Sequence, residues 1–377
     1  MSLGPLNGFR ILEICHMLAG PYCGMLLADL GAEIIKVESG EGDIARNTGN
    51  HQVGEHNVYF ASLNRNKKSV VLDLSDSANL AFFHELVKSS HGLITNLRPR
   101  AIKKLGLTYD ALQTVNPDIV CLALTGFGLE GPYSDLPAYD YIIQAMTGVT
   151  MLTGPPDGPP VRAGYSVVDN TGGMMAAIGL LSKLAGRQGG QVDVALYDMM
   201  LSQLNYLASA YLNSGEEPVR LPMGGHSFFV PAQIFPTANG HLALFITHDR
   251  FWNAFARVME KPLWLDDERF STMRGRSNNR EAVVAAISRA LMEKTSEDWV
   301  QRLQPVGVVV AGVATLSDAL NSSHTDTRGM IVSIATSAGP LRLIANPIKI
   351  DGFEESYAEP PALGEHTTLY RRVKLES

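Results

Sequence analysis

The strongest constraint on the fold is an alternation that begins at Phe9. Phe9–Ile14 reads as a strand, Cys15-His16-Met17-Leu18-Ala19-Gly20-Pro21 as a loop, and the stretch to Leu30 as a helix stopped by Gly31. Ala32–Glu38 is then a second strand. Strand, short helix and strand in that order form a right-handed βαβ unit with parallel strands. Strand patterns recur at Ser69–Leu74, Gly92–Asn96, Ile119–Leu124 and Val192–Leu196, with a helix over 77–90. The chain is therefore expected to be α/β, with ligands gathering beyond the carboxyl ends of the strands.

A Gly/Pro-rich segment, 213–231, reads as a linker out of this first domain. The hairpin that follows, Gln233–Phe245, carries Asn239-Gly240 as its turn signal. Helices near 249–259, 279–292 and 296–304 complete a smaller α+β domain, and strand character returns from Arg328 to Ile350. The expected division is 1–212 large domain, 213–231 linker, 232–327 small domain, and 328–377 returning to the large domain.

Charge sets the partners. The chain of 377 residues carries a net charge of -7, which gives no general attraction to nucleic acid or membrane. A polyanionic ligand needs a local basic patch. Arg98, Arg100, Lys103 and Lys104, with Lys67 and Lys68, form the clearest one, beyond strand ends. The three cysteines show no C-x-x-C spacing and no usual zinc pattern, so no metal is expected and reduced thiols of a cytoplasmic protein are. The start of the sequence lacks a signal-peptide pattern, and no apolar run of ~18 residues occurs.

Two motifs compete for attention. Gly126-Phe-Gly-Leu-Glu-Gly131 matches the dinucleotide fingerprint, but Pro132 and Pro137 interrupt the helix that should follow. The triphosphate loop is absent, since the chain has no Gly-Lys pair. Asp169 stands where Gly164-Tyr-Ser-Val-Val enters a helix pattern marked by Met174, Ala177, Ile178, Leu181 and Leu184. The ordinary reading is that Asp169 or Asn170 caps this helix. The sharper reading is a carboxylate nucleophile, ionised at neutral pH with a reference pKa of roughly 4, and with Gly172-Gly173 as oxyanion donors.

Several segments together resemble class III CoA-transferases, the group of formyl-CoA:oxalate and carnitine CoA-transferases, with α-methylacyl-CoA racemases as cousins. They are Ile14–Pro21, Leu30–Glu38, Leu63–Ser69, Asn96–Pro99, Gly126–Pro132, Asp140–Gly148, Asp249–Trp252, Arg328–Met330 and Pro361–His366. The resemblance implies a homodimer of interlocked open rings, each subunit holding a doubly wound Rossmann-like large domain and a small one. It puts the acylated carboxylate at Asp169 and CoA contacts at His16, Met17, Ala19, Asn66, Lys67, Asn96, Leu97 and Lys104. Tyr139 and His226 are candidates for lining the acid pocket, and Gly224-Gly225 for closing over it.

The implied activity is transfer of CoA from an acyl-CoA donor to a small carboxylic acid, with a lean toward oxalate-type dicarboxylates. It would run through aspartyl anhydride and aspartyl-CoA thioester intermediates. The neighbouring activity is racemisation of an α-methylacyl-CoA, but those enzymes carry His where this chain has Tyr139. More distant readings are an NAD-dependent oxidoreductase, resting on Glu38 and the 126–131 fingerprint, and a non-catalytic CoA-binding protein.

Overall fold

The computed structural model describes residues 4–373. Six parallel strands form the main sheet: β1 (Arg10–Ile14), β2 (Glu33–Glu38), β3 (Lys67–Val71), β4 (Gly92–Thr95), β5 (Val120–Thr125) and β6 (Gly190–Ala195). Their spatial order is β3-β2-β1-β4-β5-β6, the doubly wound arrangement. The four central strands, β2, β1, β4 and β5, are buried on both faces. In β1 and β2, Leu12, Ile14, Ile35 and Val37 pack on one side against Phe82, Phe83, Leu86 and Val87 of the helix Ser77–Lys88. Near-continuous apolar runs, rather than alternation, are what a parallel sheet covered by helices requires.

Four helices position the site. α1 (Ala19–Asp29) follows β1 and is buried along almost its whole length. α2 (Val58–Asn64) precedes β3 and is capped by Asn57, whose side chain accepts from Tyr59 and Phe60 N–H. α3 (Asp140–Met146) and α4 (Val167–Ala185) lie between β5 and β6 in sequence. No helix among the described residues is long and apolar enough to cross a membrane.

The chain divides into two compact units. One comprises the residues up to Thr147, Gly164–Asn205 and everything from Ser323 on; the other comprises Gly148–Ala163 and Tyr206–Ser322. The second unit thus starts a few residues before the expected linker at 213. It also takes in the Pro-rich loop around 153–160, which sequence order alone assigns to the large domain. Its core gathers Phe235, Leu242, Trp252, Phe255, Ile287 and Trp299 beneath a three-stranded antiparallel sheet.

The hairpin of that sheet departs from expectation by one residue. Gly240 pairs with Thr237, so Ala238 and Asn239 form the turn rather than Asn239-Gly240. Asn239 is drawn toward the helix Ser296–Leu303, accepting from Ser296 N–H and donating to Glu297. In the first unit, strands Ile331–Thr336 and Gly339–Ile344 pair only with each other and pack on Ala61 of α2.

Candidate active site

In this strand order the connections from β1 and β4 leave the sheet in opposite directions, and a crevice opens beyond their carboxyl ends. A cleft of about 280 Å³ lies there, lined by His16, Met17 and Ala19 after β1, Asn96 and Leu97 after β4, and Gly126 after β5. Tyr139 and Asp169 complete the wall.

The loop after β1 is clamped from both sides. Asn96 accepts from His16 N–H at 3.0 Å and donates to His16 O at 2.8 Å. Met17 has φ 63, a left-handed conformation that a side chain disfavours, and its N–H donates to Asp43 Oδ1 at 3.0 Å. Such a conformation persists only where its surroundings hold it.

Asp43 is itself held by a buried charge network. Lys36 Nζ bonds Glu13 Oε1 at 2.9 Å and the Cys15 carbonyl at 2.9 Å, and pairs with Asp43 Oδ2 at 2.8 Å. Lys67 Nζ bonds Glu13 Oε2 at 2.8 Å, the Pro21 carbonyl and Asn64. Burial alone would raise the Asp43 pKa. Contacts with His16, Lys36 and the Met17 N–H outweigh it and hold the carboxyl below its ordinary value. Burial likewise opposes the Lys36 charge, but Glu13, Asp43 and Glu38 hold its pKa above the ordinary value.

Asp169 is treated in the opposite way. It lies in the first turn of α4, behind the cap position Ser166, and neither it nor Asn170 caps the helix. The cap comes from α3: Asp140 Oδ2 accepts from Val168 N–H at 2.8 Å and Asp169 N–H at 3.4 Å. Gln144 donates to Asp140 Oδ1 at 2.6 Å. The Asp169 carboxylate has no hydrogen bond or ion pair among the described residues. Burial, then the neighbouring charge of Asp140, raises its pKa to about 7. This corrects the expectation of an ordinary carboxylate fully ionised at neutral pH. Tyr59 of α2 is raised in turn, by burial and by the charges of Asp169 and Asp43.

The structure gathers His16, Met17, Ala19, Asn96, Leu97, Tyr139 and Asp169 into the cleft, and keeps others out. Asn66 and Lys67 do not line this cleft. They stand at the amino end of β3, opposite the crevice. Lys67 has no side-chain exposure, and Asn66 binds Asp29, Ser356 O and Ala358 N–H. Lys104 ends a short helix that begins at Pro99; it is exposed but does not line the cleft, whereas Arg98 does. Gly224, Gly225 and His226 belong to the second unit and line a groove of about 850 Å³ there. The Gly172-Gly173 donors are also corrected. Both glycines are buried inside α4, and a side chain on Gly173 would stand 2.7 Å from Ala19 O. Gly173 lets α4 press against α1, and Gly172 gives clearance to Leu196 of the helix Leu196–Gln203.

The nicotinamide reading fails on Glu38. The carboxylate that would take a ribose hydroxyl is bonded by Arg46 at 2.9 and 2.7 Å, Ser69 at 2.7 Å and Asp43 N–H at 3.0 Å. The 126–131 glycines form turns, not a helix entry. Among the described residues no group of three or more metal-ligating side chains occurs.

The model of CoA-transferase family III matches residues 6–367. The chain belongs to that family. It is a CoA-transferase, and CoA thioesters are its substrates. It is 33% identical to acetyl-CoA:oxalate CoA-transferase of Acetobacter aceti, over 98% of this chain and 95% of that one. It is 32% identical to succinate–glutarate CoA-transferase of Agrobacterium fabrum, over 96% and 94%. A crystal structure of a CAIB/BAIF family protein from Brucella suis superposes with TM-score 0.87 at 30% identity, covering 99% of this chain and all of that one. Family III membership thus agrees with the strand order and the absence of a nucleotide fingerprint after β1.

Proposed function

We propose that this CoA-transferase moves CoA from an acyl-CoA to a small carboxylic acid with Asp169 as the covalent carrier. One observation carries the reading: Asp169 is an unpaired, largely enclosed carboxylate facing the switch-point cleft. Its oxygen attacks the thioester carbonyl, the C–S bond breaks, and the electron pair leaves with sulfur as CoA thiolate. The thiolate then attacks the aspartyl carbonyl of the mixed anhydride, releasing the donor acid and leaving an aspartyl-CoA thioester. The acceptor carboxylate repeats both steps in reverse and departs as the new thioester. Several easier acyl transfers replace one hard one, and the thioester energy is never lost to water.

His16, Met17, Ala19, Asn96 and Leu97 would seat the CoA arm. Arg98, Arg100, Lys103 and Lys104 are exposed, without an ion-pair partner among the described residues, and suit its phosphates. Tyr139, 68% exposed at the cleft, would border the acid. The relatives named for oxalate and glutarate favour a short dicarboxylate as acceptor.

The second copy expected for an interlocked dimer has a surface to cover. α4 is apolar nearly all round: Ala176, Ala177 and Leu180 are buried, while Met174, Met175 and Ile178 are 40–56% exposed. A helix of that kind on a soluble protein is normally covered by a partner. The three buried cysteines, none in a disulfide, fit the cytoplasm.

The test is exchange. Purified protein is given acetyl-, formyl- or succinyl-CoA with oxalate, glutarate and related acids, and new thioesters are separated chromatographically. Mass spectrometry of the Asp169 peptide after mixing with donor should show the acyl or CoA adduct. Exchange without an adduct on that peptide would remove Asp169 from the mechanism; α-deuterium washout without exchange would make the chain a racemase.

A further inference from the structure

Asp140 is 4% exposed and pairs with no cation among the described residues, yet it sits on the helix start that presents Asp169. Its Oδ2 gathers the Val168 and Asp169 N–H groups, while Gln144 holds Oδ1, so its orientation is fixed from both sides. These bonds cross between helices whose bonded residues are 28 and 29 positions apart. A neutral cap from Ser166 would have satisfied the helix, and no such bond forms. Instead a second carboxylate stands beside the first.

We propose that Asp140 is a positioning residue for the transfer reaction, aiming Asp169 through the first turn of α4 and using its negative charge to favour the acylated state of Asp169. The inference rests on Asp169 being the carrier. Its physics is that acylation and protonation both remove the Asp169 charge. Repulsion from Asp140 is relieved as the Asp169 oxygen bonds the thioester carbon and the negative charge leaves on sulfur. A nearby like charge is thus set against the free carboxylate and not against the anhydride, which is differential stabilisation along the reaction path.

Other groups around Asp169 do not duplicate this role. Tyr59 on α2 is held above its ordinary pKa and is neutral near pH 7, Tyr139 precedes α3, and Tyr22 on α1 packs against Gly173. His16 and Arg98 line the same cleft and are common to all variants compared below. Asp198, on the helix Leu196–Gln203 after β6, acts on Asp193.

Asp140→Asn keeps an oxygen to accept the two N–H groups and removes the charge; Asp140→Ala removes both. With the best donor–acceptor pair, kcat and KM are followed from pH 5 to pH 9. In Asp140→Asn the acid limb of kcat should move about one unit to lower pH, by the loss of one neighbouring charge. Its high-pH plateau should fall several-fold, with KM for the acyl-CoA within twofold. Asp140→Ala should lose more of kcat than Asp140→Asn. An unmoved limb with an unchanged plateau would overturn the electrostatic role.

A second measurement needs no turnover. Thermal unfolding of the wild type, Asp140→Asn, Asp169→Asn and the double variant forms a cycle. The two substitutions should be non-additive at pH 8.5, where Asp169 is charged, and additive at pH 5. Additivity at both would overturn the proposal even if exchange were observed. Non-additivity without any exchange would instead fault the carrier reading of Asp169.

Discussion

Two sets of carboxylates lie within one domain and are handled in opposite ways. Glu13, Glu38 and Asp43 are each matched by cations: Glu13 by Lys36 and Lys67, Asp43 by Lys36, Glu38 by Arg46. Asp169 has only another acid, Asp140, behind it. The first set fixes the cleft's frame at the end of β1. The second leaves one carboxylate without a cation at the wall of the cleft. Matched charge holds a shape, and unmatched charge is available for chemistry.

The largest expected effect would break the comparison outright. Asp169→Asn should lower exchange by at least about a thousandfold, as loss of a covalent group does, while CoA still binds. Initial rates and calorimetric titration with CoA check it. Full turnover would make Asp169 no different from Asp43.

The matched set predicts stability instead. Glu13→Gln leaves the buried ammonium groups of Lys36 and Lys67 without their shared anion. Removing one partner of a buried pair costs about 3–5 kcal/mol, so the urea midpoint should drop sharply. A variant as stable as the wild type would mean the network contributes nothing to the frame.

Asp169→Asn should do the reverse to stability. The Asp169 pKa is raised to about 7 on folding, so the unfolded chain gives up this proton at lower pH than the folded one. Stability is therefore lost as pH rises from about 4 to about 7, and the penalty is complete above that. The variant escapes it. It should gain ~2 kcal/mol at pH 8.5, allowing for partial solvent screening, and much less at pH 5, by thermal unfolding. A gain independent of pH would deny that the carboxylate is destabilised by its charge.

The smallest effect contrasts a free cation with a consumed one. Arg98→Ala should raise KM for acyl-CoA by about fivefold, roughly 1 kcal/mol, more at low salt than at high, with kcat unchanged. If the KM shift were the same at every ionic strength, Arg98 would be packing rather than pairing with phosphate.

Much of the frame was legible in the sequence because it is local. The Phe9–Glu38 alternation fixes β1, α1 and β2, since apolar periodicity and a closing Gly31 act over a few residues. The basic run after β4, and Asp169 at a helix start, were visible for the same reason. What sequence could not rank was which charges are spent. Lys67 and Arg98 read alike as members of one basic cluster, yet Lys67 is sealed against Glu13 and Arg98 opens on the cleft.

Only the tertiary structure decided the acid pair. Asp140 and Asp169 meet because α3 and α4 pack together, and nothing in either segment announces that the cap of one helix comes from another. The same holds for Gly172 and Gly173, which looked like donors to an oxyanion and are clearance between α4 and its neighbours, Leu196 for Gly172 and α1 for Gly173. Chain-local patterning determined which elements exist and where the Asp169 side chain sits. Burial and the distance to other charges, which depend on segments far apart in sequence, decided how that side chain behaves.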